Sequence, residues 1–222
     1  MGDWITLTAA DGHALSAWQE KPTSPPVAGL VLVQEAFGVN AHIRDIAGRF
    51  AALGYHVVAP AMYDRYERGF EVGYSEAEVA RGISFLPGLD WDKALLDVDA
   101  ALQAVRAVAS KVGIVGYCFG GSMAWMAACR VDVDAAVCYY GSRIPMLADE
   151  TPRCPLIAHF GRQDKGIPLE KVEQVAAAHA DIPIYLYDAG HGFACDRRAA
   201  FDRPSHELAW RRSVDFLAGA LA

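Results

Sequence analysis

No apolar run in this chain approaches the roughly 20 residues that span a bilayer, and Met1-Gly2-Asp3-Trp4-Ile5-Thr6 lacks the charged-then-apolar order of a secretory signal. Positive charge is also scarce. A formal net charge of -7 offers no basic face to nucleic acid or to an anionic membrane surface. It gives no long-range attraction for an acidic substrate either, so any selectivity for an anion has to be local. The five cysteines (118, 129, 138, 154 and 195) include no C-x-x-C pair and no zinc-ligand spacing. Histidines 13, 42, 56, 159, 179 and 206 are scattered along the chain without a metal-ligand cluster, so no metal is expected. Internal repeats, linkers, low-complexity tracts and heptads are missing as well. What remains is a cytoplasmic protein with reduced thiols, no nucleic-acid or membrane partner, and a monomeric state.

A chain of 222 residues that is 53% hydrophobic can bury a large core, and it reads as one α/β domain over residues 1–222. Residues 4–8 and 14–19 flank Asp11-Gly12 as a hairpin. Gly29 to Val33 is a continuous apolar run, the mark of a strand covered on both faces, and Tyr55 to Ala59, Val112 to Gly116, Ala135 to Tyr140 and Leu156 to Phe160 read as further strands. Ile184 to Tyr187 is the last strand. Asn40 caps a helix whose apolar face is Ile43, Ile46, Ala47, Phe50 and Leu53, stopped by Gly54. Leu95, Val98, Leu102 and Val105 mark a second helix, Val172, Val175 and Ala176 a third after Pro168, and Trp210, Val214, Leu217 and Leu221 a last one from Pro204. A hairpin followed by alternating strands and helices predicts a three-layer, mostly parallel, doubly wound sheet of about eight strands. Residues 62–90 show little periodicity and many aromatic and charged side chains, and are expected to cover a pocket.

The informative stretch is Gly116-Tyr117-Cys118-Phe119-Gly120-Gly121. Strand, G-x-C-x-G turn and helix form a nucleophile elbow, which lifts one side chain to the sheet's edge and needs small residues two positions before and after it. The helix behind Cys118 adds a partial positive charge that favours thiolate. Three titratable residues follow other strand ends, where α/β sheets carry their sites: Glu35, Asp164 and His191. The chain order nucleophile, acid, histidine is that of α/β-hydrolases. Asp188 rivals Asp164 as the acid, but lies only three residues from His191.

Gln34-Glu35-Ala36-Phe37-Gly38-Val39-Asn40, the elbow, Tyr139-Tyr140-Gly141, Gln163-Asp164 and Ala189-Gly190-His191-Gly192-Phe193-Ala194 together resemble the dienelactone hydrolase (carboxymethylenebutenolidase) family. The resemblance implies an α/β-hydrolase fold, a Cys118, Asp164, His191 triad and no cofactor. It further implies that Glu35 pairs with the resting thiol, and that the backbone N–H groups of Ala36 and Phe119 form the oxyanion hole. There is one departure. Relatives acting on dienelactone carry an arginine four residues after the histidine, where this chain has Cys195. Arg81, Arg143, Arg197 and Arg198 are possible replacements. Arg81 and Arg143, with Tyr140 and Phe37, are the candidate substrate contacts.

The expected activity is therefore cysteine-dependent hydrolysis of a small lactone or activated ester through a thioester. Two alternatives remain open: a broad-specificity esterase or thioesterase with a neutral pocket, and a non-catalytic relative whose reactive cysteine senses oxidants or that binds a ligand.

Overall fold

The computed structural model describes residues 2–222. Its eight strands are β1 (Asp3–Thr8), β2 (Ala14–Glu20), β3 (Ala28–Val33), β4 (Tyr55–Pro60), β5 (Val112–Tyr117), β6 (Ala135–Tyr139), β7 (Leu156–Gly161) and β8 (Ile184–Tyr187). They form one sheet in the order β1-β2-β4-β3-β5-β6-β7-β8. The β1–β2 and β2–β4 pairs are antiparallel and all others parallel. Every residue of β3, β4, β5, β6 and β7 is buried, including His56 in β4 and His159 in β7, whereas edge strand β1 faces solvent along most of its length.

Six helices sandwich the sheet: α1 (Ala41–Ala52), α2 (Glu76–Ile83), α3 (Trp91–Arg106), α4 (Phe119–Arg130), α5 (Leu169–Ala178) and α6 (Arg203–Ala220). Helices α1 and α6 meet through Phe50 and Trp210, whose ring centroids are 4.6 Å apart. Asn40 caps α1 as expected, its side chain accepting from the His42 and Ile43 N–H groups. Leu53 differs from expectation. It is the C-cap and is exposed, because the helix ends one turn after Phe50, where Gly54 at φ +98° reverses the chain. On α6 the buried face is Ser205, Ala209, Ser213 and Leu217, with Trp210 and Val214 half-buried beside it. Ser213 is drawn inward because its hydroxyl joins Tyr139 (2.7 Å) and His159 (3.0 Å) in a buried network.

The largest revision concerns residues 62–90, which hold a helix. Ser75 and Glu78 make a reciprocal capping box at the start of α2, and a short 3-10 turn follows at Leu86–Gly88. An isolated bridge between Gly38 and Glu71 ties the segment to the loop after β3. Its underside is aromatic. Phe85 stacks on Tyr63 at 4.8 Å and meets Phe70 edge-on at 4.7 Å, while Tyr63 reaches Phe119 at 6.0 Å.

A buried ion pair fixes the near end of this cover. Arg65 donates twice to Asp97 on α3, both at 2.7 Å, and also to Asp11 in the hairpin turn at 2.7 and 3.1 Å. The Asp97 side chain is only 1% exposed. Burial pushes its carboxyl up, and the arginine pulls the other way. Removing the cation leaves a buried, uncompensated carboxylate. Arg65→Met should therefore cost about 3 kcal/mol or more in urea unfolding, and adding Asp97→Leu should restore most of the loss. Equal stability of the single variant and the wild type would show that the pair carries nothing.

Candidate active site

Strand order reverses between β3 and β5, since β4 lies to one side of β3 and all later strands to the other. The loops after β3 and β5 therefore part above the sheet, and the crevice between them is where α/β sheets hold ligands. The loop after β3 carries Glu35 and Ala36. The turn after β5 carries Cys118, held at φ +54°, ψ -112°, a conformation rare for any residue but glycine. The surroundings hold it there. A Cβ on Gly116 would sit 1.8 Å from the Gly120 carbonyl oxygen, and one on Gly120 would sit 2.3 Å from the Val33 carbonyl oxygen. Meanwhile the Cys118 N–H donates to Tyr139 O (3.0 Å) and the Gly120 N–H to Gln34 O (3.1 Å). The strain is fixed from both neighbouring strands.

Opposite the thiol, the loop after β8 brings His191, whose Nε2 lies 3.0 Å from Cys118 Sγ. Its Nδ1 lies 2.7 Å from Asp164 Oδ2, on the loop after β7. The other oxygen, Oδ1, accepts from the Gly166 (2.8 Å) and Ile167 (3.1 Å) N–H groups, so the carboxylate cannot swing away. Burial pulls the His191 pKa down, yet the negative charge on Cys118 and the hydrogen bond to Asp164 outweigh it and raise the value well above the usual 6.5. Thiol, imidazole and carboxylate in one hydrogen-bonded line form the arrangement that nucleophilic catalysis uses. Asp188 is not part of it. Its side chain is 88% exposed beside Arg162.

The remaining expectations divide. Ala36 and Phe37 line a cavity of about 460 Å³ together with Cys118, and Ile83, Leu86, Gln163, Lys165 and Arg198 belong to the same lining. The cover expected over residues 62–90 thus reaches the site through α2 and the turn after it. No turn or loop hydrogen bond takes up the N–H of Ala36 or of Phe119. Among the described residues neither donor has a partner, and Ala36 shares the cavity wall with Cys118. Glu35 is buried, but its partner is Arg198, with Nη1 to Oε1 at 3.4 Å, and not the thiol, which faces His191 instead.

Three candidate contacts fall outside the cavity lining. Arg81 turns back over Phe85 and pairs with Glu67. Arg143 lies 4.6 Å over Trp91. Tyr140, at φ +36° and fully buried, packs tilted against the His191 ring at 5.0 Å between centroids. Each is held by an aromatic or ionic neighbour that sequence spacing does not reveal. Arg198, one of four replacements considered for the missing arginine, is the one that reaches the cavity, with its guanidinium 5.1 Å over the Phe37 ring.

The scatter of histidines in sequence does not persist in space. His42 converges with Glu35 and Cys195, one potential ligand atom from each lying within 4.8 Å of the others. Linear spacing missed this because the three residues come from three different segments.

An eight-stranded, mostly parallel sheet flanked by helices, with a nucleophile elbow at its switch point, defines an α/β-hydrolase. The dienelactone hydrolase family model matches residues 15–221, and the chain belongs to that family. It is 30% identical over 224 residues to a carboxymethylenebutenolidase of Pseudomonas putida, covering 96% of this chain and 95% of that one. A Synechocystis protein with a provisional carboxymethylenebutenolidase name is 33% identical over 202 residues, 82% of each chain. Among solved structures, a Klebsiella pneumoniae protein with a provisional dienelactone hydrolase name superposes with a TM-score of 0.82 at 25% identity, over 98% of this chain and 99% of that one. The chain is a dienelactone hydrolase-like hydrolase.

If the Cys118 charge and the Asp164 hydrogen bond hold up the His191 pKa, removing either should lower it. NMR titration of the His191 ring should show imidazolium persisting above pH 6.5 in the wild type. In Cys118→Ala and in Asp164→Asn the midpoint should move to lower pH. An unchanged midpoint in both variants would dissociate the three groups.

Proposed function

We propose that the protein hydrolyses small lactones or activated esters that carry a carboxylate, through a thioester on Cys118. The observation that carries this reading is the Cys118–His191–Asp164 line, at 3.0 and 2.7 Å, opening into a cavity that contains Arg198. Cys118 Sγ attacks the carbonyl carbon, forming the S–C bond while the carbonyl electron pair moves onto oxygen. The N–H groups of Ala36 and Phe119 receive that oxyanion, each donor of this kind being worth on the order of a hundred- to a thousand-fold in rate. Collapse expels the ester oxygen, which takes a proton from the His191 imidazolium. His191 then removes a proton from water, the hydroxide attacks the thioester, and thiolate leaves. Asp164 keeps the ring in the required tautomer throughout.

Esters suit this chemistry better than amides, because thiolate departs from a tetrahedral intermediate more readily than an unprotonated amine. Arg198 and Lys165 in the cavity lining supply the local positive charge that the acidic chain otherwise lacks, which favours an anionic substrate over a neutral one. Glu35 restrains Arg198 and keeps its guanidinium over Phe37. A thiolate nucleophile also requires a reducing compartment, consistent with the cytoplasmic location proposed for it.

Cys118→Ala should lower kcat/KM on p-nitrophenyl acetate and on dienelactone by about a thousandfold or more. Intact mass spectrometry of the wild type during turnover should show one acyl group added. Equal rates for the two proteins would overturn the proposal, as would an adduct formed only with peroxide. Arg198→Met should reduce kcat/KM for a carboxylate-bearing lactone about ten- to a hundredfold more than for its neutral methyl ester. Equal losses on both would instead indicate a broad esterase with a neutral pocket.

A further inference from the structure

We propose that Glu35, His42 and Cys195 form a buried binding site for a thiophilic divalent cation of the Zn²⁺ class, behind the catalytic cleft. Their side chains offer a carboxylate oxygen, an imidazole nitrogen and a sulfur that lie mutually within 4.8 Å. All three residues are buried, with exposures of 1%, 1% and 0%. Buried polar atoms normally have partners. Here Glu35 Oε2 and both ring nitrogens of His42 have no hydrogen bond. An unsatisfied carboxylate oxygen and an unsatisfied imidazole nitrogen that converge beside a sulfur form a donor set a cation would satisfy.

The donor set selects the metal. One thiolate, one imidazole and one carboxylate match the N/S/O ligation of zinc, while a hard cation such as Mg²⁺ would prefer oxygen alone. Tetrahedral zinc separates its sulfur and nitrogen ligands by roughly 3.5 Å, a spacing that side-chain rotations can reach from atoms already within 4.8 Å of one another. Binding deprotonates Cys195, and the proton goes to bulk buffer.

The flanking groups fit this assignment. His42 Nδ1 faces Asp196 Oδ1 at 3.4 Å, so ligation through Nε2 would let Nδ1–H settle on that carboxylate, as metal-bound histidines do. Arg198 approaches Glu35 through Oε1, which leaves Oε2 for the metal. Carboxylate and thiolate together also outweigh that one guanidinium. His42 lines a surface cleft with Asn40, Val72 and Tyr74, which supplies the entry path.

The site shares Glu35 with the cleft. On the reading of Glu35 as the restraint on Arg198, zinc occupancy would link turnover to metal supply; binding itself does not depend on that reading. The test therefore measures binding. Cys118 and His191 could themselves hold a metal, so the full chain is used as its reduced, metal-free Cys118→Ala variant and titrated with Co²⁺. The expected result is one Co²⁺ per chain, a thiolate-to-cobalt charge-transfer absorption, and its displacement by Zn²⁺. Adding Cys195→Ser should abolish the absorption. His42→Gln and Glu35→Gln should each weaken Co²⁺ binding by about tenfold or more, and Asp196→Asn, a change at a partly exposed position that leaves the buried ligands intact, by a smaller factor. Circular dichroism confirms that each variant is folded. Absence of the charge-transfer absorption in Cys118→Ala would overturn the proposal. So would its survival after Cys195→Ser, or an Asp196→Asn affinity equal to the parent's.

Discussion

The contorted backbone at Cys118 is the constraint on which the rest of the structure depends. A positive φ at a residue with a side chain costs of order 1–3 kcal/mol, and it persists only where the surroundings leave no alternative. Those surroundings are three strand ends. β3 contributes the Val33 and Gln34 carbonyls against Gly120, β6 contributes the Tyr139 carbonyl to the Cys118 N–H, and β5 leads directly into the turn. Relaxing the cysteine would require moving the middle of the sheet. The buried strands thus position the thiol as well as stabilise the chain, and the geometry of the turn is tied to the stability of the core.

Charge in the cleft is distributed with similar economy. The chain is acidic overall, yet its crevice gathers Arg198, Lys165 and a raised-pKa imidazole around a thiol. Two of these positive groups have an assigned counterpart. His191 is held between Cys118 and Asp164, and Arg198 between Glu35 and the face of Phe37. Because Asp164 also accepts two backbone N–H bonds, its orientation does not depend on the histidine it serves. The site is organised before any substrate arrives, which is what electrostatic stabilisation of a developing charge requires.

Much of this was legible in sequence because it is local. Gly116 and Gly120 flank Cys118 for a steric reason that spacing records, and an unbroken apolar run reveals a strand covered on both faces. The order of Cys118, Asp164 and His191 along the chain follows from the order of the strands that carry them. What sequence concealed was side-chain direction and convergence over long distances. Arg81 and Arg143 looked like free cations until aromatic rings and Glu67 claimed them. Nothing local links Glu35 to Arg198, since they are 163 positions apart. His42 and Cys195 meet Glu35 only once α1 and the loop after β8 are packed. The helix at Glu76–Ile83 is a different case. Its signal was present in Ser75 and Glu78, but little more than two turns, with Val79 and Ile83 as the large apolar residues, gave too short a stripe to draw attention to it.

Gly82 carries a mechanical consequence. A methyl group at this point of α2 would lie 2.2 Å from the Ala36 carbonyl oxygen and 3.0 Å from the Phe37 ring, so helix and loop touch backbone to backbone there. With no side chain between them to act as a cushion, a tilt of this helix would be passed directly to the loop after β3. A residue with no side chain thus gears the cover to the loop that lines the cavity beside Cys118.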